Sequence, residues 1–190
     1  MTRDQLEHVL RAAAAIVDDP DILVIGSQSI LASIPESRLP AEATGSIEAD
    51  LAFLDDPDGA KADRVDGAIG ELSRFHETFG YYAQGVSLST AHLPVGWRDR
   101  LVLIDAAGAA PARARCLEPH DCVVAKLVAG RQKDREFAAA LIRERLVEPD
   151  VLLARIAALP DVDSRWAGGL AAWVRRAAGL AGSPPTAPGS

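Results

Sequence analysis

The stretches ILVIGS at residues 22–27 and IEADLAFL at residues 47–54 carry the clearest structural signals in this chain. The first is a short, continuous apolar run that ends in Gly-Ser. It predicts a buried strand over 22–25, a turn, and a helix over 28–34. The second alternates imperfectly between apolar and polar residues and predicts another strand. A strand, a turn, a helix and a second strand indicate a protein in which helices pack on a sheet.

Helical and strand patterns continue on both sides of these stretches. Thr2 and Gln5 form a capping box at the start of a predicted amphipathic helix over 2–17. Prolines and scattered charges predict a loop over 35–45. The remaining predicted helices are 61–78, 120–130, 132–146, 149–158 and 163–179, and the remaining predicted strands are 86–90, 101–105 and 113–117.

The order of these elements predicts an α/β (α+β) fold in which mixed strands and helices are followed by helices alone. We expect a core over residues 1–118, a C-terminal helical region over 119–182 that packs on it, and a disordered tail, SPPTAPGS, over 183–190. With 190 residues, 48% of them apolar and 25% charged, the chain can bury a sizeable core.

The sequence also bears on where the protein works. No stretch approaches the roughly 18 uncharged apolar residues of a membrane-spanning helix, so we expect no membrane partner. Asp4 and Glu7 come too early for a signal peptide. Cys116 and Cys122 match neither a zinc-binding spacing nor a disulfide framework, so the expected location is a reducing cytoplasm.

The net charge of −7 argues against a protein that coats nucleic acid without specificity. The charges are unevenly distributed: residues 1–90 carry 6 basic and 16 acidic side chains, whereas residues 91–190 carry 14 and 11. An acidic half that faces a basic half suits a site with a metal on one side and a phosphate on the other. A solvated surface accounts for the asymmetry equally well, so the motifs have to decide.

Gly26 and Ser27 form the first candidate motif. A glycine after a strand allows a ligand to approach the backbone closely, and the start of the following helix attracts phosphate. The serine hydroxyl adds a hydrogen-bond donor. An ordinary turn between a strand and a helix has the same sequence, so this motif alone is a weak signal.

Glu48 and Asp50 form the second candidate motif. They lie two residues apart on the second predicted strand, so alternation places both carboxylates on one face. If that face is buried, their repulsion and desolvation require compensation, and a divalent cation such as Mg²⁺ is the usual solution. If it is exposed, they are the acidic outer face of an edge strand whose inner face is Ala49, Leu51 and Phe53.

Lys126 begins the third candidate motif. It lies within the apolar run CVVAKLVA at 122–129, where a lysine either extends to solvent or points into a site. In a continuous helix Lys126 and Asp134 would be about 12 Å apart, too far for an ion pair but close enough to line one cleft. The charged stretch from Arg131 to Glu136 also fits a solvated helix face.

In their order and spacing these motifs resemble those of the polymerase-β-type nucleotidyltransferases, with Gly26-Ser27 followed by Glu48-x-Asp50 on the next strand. The closer resemblance is to the minimal nucleotidyltransferases of toxin–antitoxin and abortive-infection systems, the AbiEii-like group. It extends over about residues 20–145. The stretches similar to that group are 125–137, with a lysine motif and a later KD motif, GYYAQG at 80–85, and LPVGW at 93–97.

The resemblance implies a polymerase-β-type nucleotidyltransferase core with a mixed sheet, in which the Gly-Ser turn cradles a nucleoside triphosphate. It also implies that Lys126 neutralises the triphosphate and that Asp134 assists by orientation or proton handling. Asp105 is a candidate third carboxylate by strand position alone. The implied site residues are Asp50, Lys126 and Asp134 for catalysis, Gly26, Ser27, Lys126 and Arg131 for nucleotide binding, and Glu48 and Asp50 for Mg²⁺.

The leading hypothesis is a Mg²⁺-dependent nucleotidyltransferase that moves a nucleotidyl group from an NTP to an acceptor hydroxyl. The acceptor could be a tRNA 3′ end, a protein or a small molecule, and the protein could be the toxin of a pair with a cognate antitoxin protein. The alternative is a catalytically degenerate fold that binds a nucleotide or a partner. The two differ in whether Ser27, Glu48, Asp50 and Lys126 converge in one cleft.

Overall fold

The computed structural model describes residues 1–104, 107–160 and 162–180. The candidate carboxylate Asp105 and the predicted disordered tail at 183–190 lie outside these residues.

The helices are α1 Arg3–Val17, α2 Ala41–Thr44, α3 Ala60–Ile69, α4 Arg74–Phe79, α5 Pro119–Ala129, α6 Gln132–Arg143, α7 Pro149–Ala157 and α8 Ser164–Ala177. The strands are β1 Asp21–Val24, β2 Glu48–Ala52, β3 Tyr82–Gly85, β4 Val102–Leu103 and β5 Arg113–Cys116. Within the described ranges, no helix is both long enough and apolar enough to cross a membrane.

The strands form one mixed sheet in the order β3-β2-β1-β5-β4. β2 is antiparallel to β1 and parallel to β3, whereas β5 is parallel to β1 and antiparallel to β4. This sheet, its helices and the C-terminal helical region confirm the predicted fold class. The continuous apolar run at the centre of the sheet is β1, which is buried on both faces.

Alternation along β1 and β2 separates the two faces of the sheet. Ile22 and Val24 of β1, with Ala49 and Leu51 of β2, pack in one apolar core with α1 and α3. α1 begins with the predicted capping box and buries its apolar stripe in this core. The two acidic residues of β2 consequently lie on the opposite, second face of the sheet.

The C-terminal helices cover part of that second face. Leu23 and Ile25 share a second apolar core with α5, α6, α7 and α8. Asp121 of α5 is fully buried, with its carboxylate 2.8 Å from Arg100 Nε and 3.3 Å from Arg155 Nε. This ion triad joins the segment before β4 to α5 and α7, so the helical region is held to the sheet by both apolar and ionic contacts.

The strand predicted over 86–90 is wrong. β3 lies earlier because Tyr82–Gly85 pair with Glu48–Leu51 of β2, and Leu88–Thr90 form a short 3-10 helix capped by Ser87. Of the described residues in the strand predicted over 101–105, only Val102–Leu103 form a strand, β4. Pairing with a distant strand decides where β3 lies, and the local pattern does not contain that information.

Two helical predictions and one loop prediction also differ from the structure. The helix predicted over 61–78 is two helices, because α3 ends at Gly70 and Ser73 caps α4 by accepting a hydrogen bond from the His76 N–H. The helix predicted over 28–34 is a 3-10 helix, Ser27–Ala32. The loop predicted over 35–45 contains the single-turn α2 and a 3-10 turn at Glu36–Arg38.

Candidate active site

A cleft with a volume of about 660 Å³ opens at the second face of the sheet, between β2, β3 and the turn from α5 to α6. Residues from both halves of the chain meet in it, as the catalytic hypothesis requires. All seven predicted site residues line this cleft: Gly26, Ser27, Glu48, Asp50, Lys126, Arg131 and Asp134.

Gly26 is in direct contact with the second carboxylate. Just before it, the Ile25 N–H donates to the Asp50 carbonyl oxygen at 3.1 Å, which holds the end of β1 against β2. A Cβ at Gly26 would overlap the Asp50 carboxylate and lie 2.6 Å from its Cγ and 2.9 Å from its Cβ. The sequence predicted that this glycine lets a ligand approach the backbone. In the structure it is the Asp50 side chain that lies against the Gly26 backbone.

The turn is also fixed to the start of β2. Gln28 is buried, and its Nε2 donates to the Ser46 carbonyl oxygen at 3.2 Å. Ser27 is half-buried and faces the cleft beside it. Hydrogen bonds from Ile25 and Gln28 thus hold the Gly-Ser turn against β2 and the segment just before it.

The carboxylates of Glu48 and Asp50 are on one face of β2 and close enough to interact. Burial, and then the hydrogen bond and negative charge of Glu48, raise the pKa of Asp50 from 3.8 to about 7. The positive charges of Lys126 and Lys133 act in the opposite direction without compensating for this effect. A second negative charge on this pair is therefore unfavourable in the cleft, because burial and the neighbouring Glu48 both oppose ionisation of Asp50.

A divalent cation fits this pair, because its positive charge would favour the ionised form of both carboxylates and because Mg²⁺ prefers hard oxygen ligands. Two carboxylates leave other coordination positions of the ion open to water, neutral side chains and substrate phosphates. Mg²⁺ in proteins commonly keeps several such water and phosphate ligands. No group of three or more His, Cys, Asp or Glu side chains arranged to hold a metal is found in the described part of the chain. Glu48 and Asp50 are the residues that would hold the ion.

Tyr82 is a site residue that sequence reasoning missed. It lies opposite Glu48 in the parallel β2–β3 pair, and its hydroxyl donates to Glu48 Oε2 at 3.1 Å. Burial and the negative charge of Glu48 raise the pKa of Tyr82 to about 12, so the phenol keeps its proton and remains a donor. Placing β3 at 82–85 and pairing it with β2 in this register would have put Tyr82 on the same face as Glu48.

Lys126 and Asp134 form an ion pair, with 3.5 Å between Nζ and Oδ1. The predicted separation of about 12 Å is wrong because it assumed a continuous helix. α5 ends at Gly130, whose φ of +71° is left-handed, and Arg131 is the N-cap of α6. The Asp134 side chain is 2% exposed, and its Oδ2 has no hydrogen-bond partner among the described residues.

The cleft therefore has an acidic wall and a basic wall. β2 contributes the two carboxylates, whereas Lys126, Arg131 and Lys133 line the side formed by α5 and α6. The N-terminus of α6 lies at this basic wall, where the helix dipole adds partial positive charge. An arrangement of this kind can hold a cation on one side and a polyanion on the other.

This arrangement agrees with a match to a known family. The profile of the family described as "Nucleotidyltransferase of unknown function (DUF6036)" matches residues 4–166, which include every cleft residue named above. The chain belongs to this family. Searches of the curated proteins and of the solved structures gave no match.

Membership of this nucleotidyltransferase family confirms the broader part of the resemblance found in the sequence. The match extends from α1 into α8, so the sheet and the helices that supply the basic wall both belong to the family region. The AbiEii-like assignment, the acceptor and the toxin role stay predictions.

Proposed function

We propose that this protein is a Mg²⁺-dependent nucleotidyltransferase that moves a nucleotidyl group from an NTP to an acceptor hydroxyl, with pyrophosphate as the leaving group. The observation that carries this proposal is the convergence of Glu48 and Asp50 with Lys126 and Arg131 on opposite walls of one cleft. Membership of a nucleotidyltransferase family supports the same reaction class. The convergence favours the enzyme over a degenerate binding module.

The acidic wall positions the reacting groups. Glu48 and Asp50 would hold Mg²⁺, and Tyr82 orients Glu48 through its hydrogen bond. Bound Mg²⁺ supplies Lewis-acid chemistry, which lowers the pKa of an attacking hydroxyl and stabilises charge on the phosphate oxygens. Gly26 leaves the space in which the Asp50 carboxylate can take up its position.

The basic wall binds the triphosphate. Lys126 and Arg131 would neutralise its negative charge, and the Ser27 hydroxyl would donate to a phosphate oxygen. Asp134 Oδ1 lies 3.5 Å from Lys126 Nζ and so keeps the ammonium group in the cleft. Asp134 is therefore a positioning residue in this proposal, and most of the rate would come from orientation and electrostatics.

The finer parts of the proposal rest on the sequence motifs. Their resemblance to the AbiEii-like group supports a tRNA 3′ end or a protein as the acceptor, and a role as the toxin of a two-gene system in the cytoplasm. A cognate antitoxin protein would then be the natural partner. Co-expression with the neighbouring reading frame should relieve any growth arrest that the protein causes alone.

The experiment that tests the reaction is nucleotide transfer. The purified protein is incubated with each labelled NTP and Mg²⁺, once with total tRNA and once with cell protein extract. We expect label in one acceptor pool, and we expect Asp50→Asn to abolish it. Asp66→Asn, an exposed residue of α3 on the other side of the sheet, is the matched control and should transfer normally. Absence of both transfer and Mg²⁺-dependent NTP binding would refute the proposal.

A further inference from the structure

The register of the parallel pair β2–β3 places a third oxygen-bearing side chain beside the two carboxylates. Glu48 lies opposite Tyr82, and Asp50 lies opposite Gln84. Ala83, between them, is buried in the core formed with α1 and α3. Gln84 therefore projects from the second face of the sheet, where it is exposed and lines the cleft.

Gln84 is within reach of whatever Asp50 holds. Neighbouring strands lie about 4.8 Å apart, and opposite side chains on one face are similarly spaced. The contact between Tyr82 and Glu48, one pair earlier in the same register, shows that side chains of β3 reach those of β2 on this face. A glutamine side chain carries an amide oxygen, which is a hard, neutral ligand.

We propose that Gln84 supplies a third, neutral protein oxygen to the cation held by Glu48 and Asp50, an inference that rests on the metal site of the proposed function. Because the third ligand is neutral, the negative charges of the two carboxylates alone balance the charge of one divalent ion. A third carboxylate would add another negative charge, and ligand charge is a main determinant of affinity for hard cations. Gln84 thus keeps the affinity for free metal moderate.

Binding of Mn²⁺ alone, in the absence of nucleotide, is the appropriate test, because free Mn²⁺ can be counted by electron paramagnetic resonance without any turnover. We expect Gln84→Glu to bind Mn²⁺ at least about tenfold more tightly than the wild type, since it adds a charged ligand. Gln84→Leu keeps a similar size without an oxygen, and we expect it to bind several-fold more weakly. Both variants change the exposed side chain of Gln84, so neither substitution should disturb folding.

Gln132→Glu is the matched control for charge. Gln132 is exposed on α6, beside the cleft but outside its lining, so this variant adds the same charge without a ligand at Asp50. If Gln84→Glu gains no more affinity than Gln132→Glu, or if Gln84→Leu binds like the wild type, the inference is overturned.

Asp50→Asn separates this failure from a failure of the proposed function. Loss of Mn²⁺ binding in Asp50→Asn, with no change in the Gln84 variants, would overturn the role of Gln84 and leave the metal site standing. Binding that is unaffected by Asp50→Asn would remove the metal site itself, and the role of Gln84 with it.

Discussion

At the scale of single residues, the position of the Asp50 side chain depends on the absence of a side chain at Gly26. We expect Gly26→Ala to displace the Asp50 carboxylate, because the added Cβ would lie 2.6 Å from Asp50 Cγ. Misplacing a reacting group by about 1 Å can cost about 100-fold in rate, so transfer should fall by about that factor. Gly67→Ala in α3 is the control, since a Cβ there meets nothing within 4 Å. Equal activity in the two variants, measured as the rate of label transfer, would contradict this prediction.

Asp50 should also destabilise the metal-free protein. Its pKa is raised from 3.8 to about 7, so the cost of ionising it in the folded state grows as the pH rises from about 4 to about 7 and is complete above that. We expect Asp50→Asn to raise the stability at pH 8 by at most ~4 kcal/mol, with a smaller gain at pH 5.

Thermal unfolding in the presence of a chelator measures this effect. Asp66→Asn, on an exposed carboxylate, should show no comparable gain at either pH. A gain in Asp50→Asn that is the same at pH 5 and pH 8 would mean that ionisation of Asp50 is not its cause.

Tyr82 orients Glu48, and removing its hydroxyl tests that role. We expect Tyr82→Phe to weaken Mn²⁺ binding and to slow transfer, each by about tenfold, because partners that orient metal ligands commonly contribute that much. Tyr81→Phe is the matched control, since the Tyr81 hydroxyl bonds His8 Nδ1 at 2.8 Å, away from the cleft. Similar losses in both variants would point to a general effect of removing a phenol.

At the scale of secondary-structure elements, the turn from α5 to α6 brings Lys126 to Asp134. Gly130 has φ +71°, so Gly130→Ala should cost about 1 kcal/mol of stability and loosen the ion pair. Gly80→Ala is the matched control, because Gly80 ends α4 with φ +75° and lies outside the cleft. We expect similar losses in thermal stability but weaker NTP binding only in Gly130→Ala. Equal NTP affinities would show that this turn does not position the basic wall.

The elements also show how far the sequence alone can predict this site. Alternation placed Glu48 and Asp50 on one face correctly, because that pattern is local to β2. Tyr82 and Gln84 were missed because β3 is defined by its pairing with β2, which lies more than thirty residues away in the sequence. The distance from Lys126 to Asp134 was wrong because it depends on the direction in which the chain leaves Gly130.

At the scale of the whole molecule, the sheet depends on the C-terminal helices. Leu23 and Ile25 are buried against α5 to α8, so a chain that ends at residue 118 would expose the second face of the sheet. We expect that shortened chain to aggregate and to show no cooperative thermal transition, whereas a chain that ends at residue 180 should unfold like the full protein. Calorimetry and size-exclusion chromatography measure both outcomes. Cooperative unfolding of the shorter chain would show that residues 1–118 fold independently.

The uneven distribution of charge along the sequence corresponds to a feature of the folded molecule. The acidic half contributes β2 and the Gly-Ser turn, and the basic half contributes α5 and α6, so the two halves of the chain form the two walls of one cleft. The sequence left open whether the asymmetry was only a solvated surface. The cleft shows that at least part of it is concentrated where opposite charges face each other.

The close contact between Gly26 and Asp50 has an evolutionary consequence. Two positions that share one volume cannot change independently: a side chain at position 26 is tolerable only if the side chain at position 50 moves away or becomes smaller. Lineages in which catalysis has decayed should therefore accumulate alanine or serine at position 26 after substitution at position 50. In the reverse order, the intermediate would be selected against. Comparing positions 26 and 50 in an alignment of family members would separate the lineages that retain catalysis from those that have lost it.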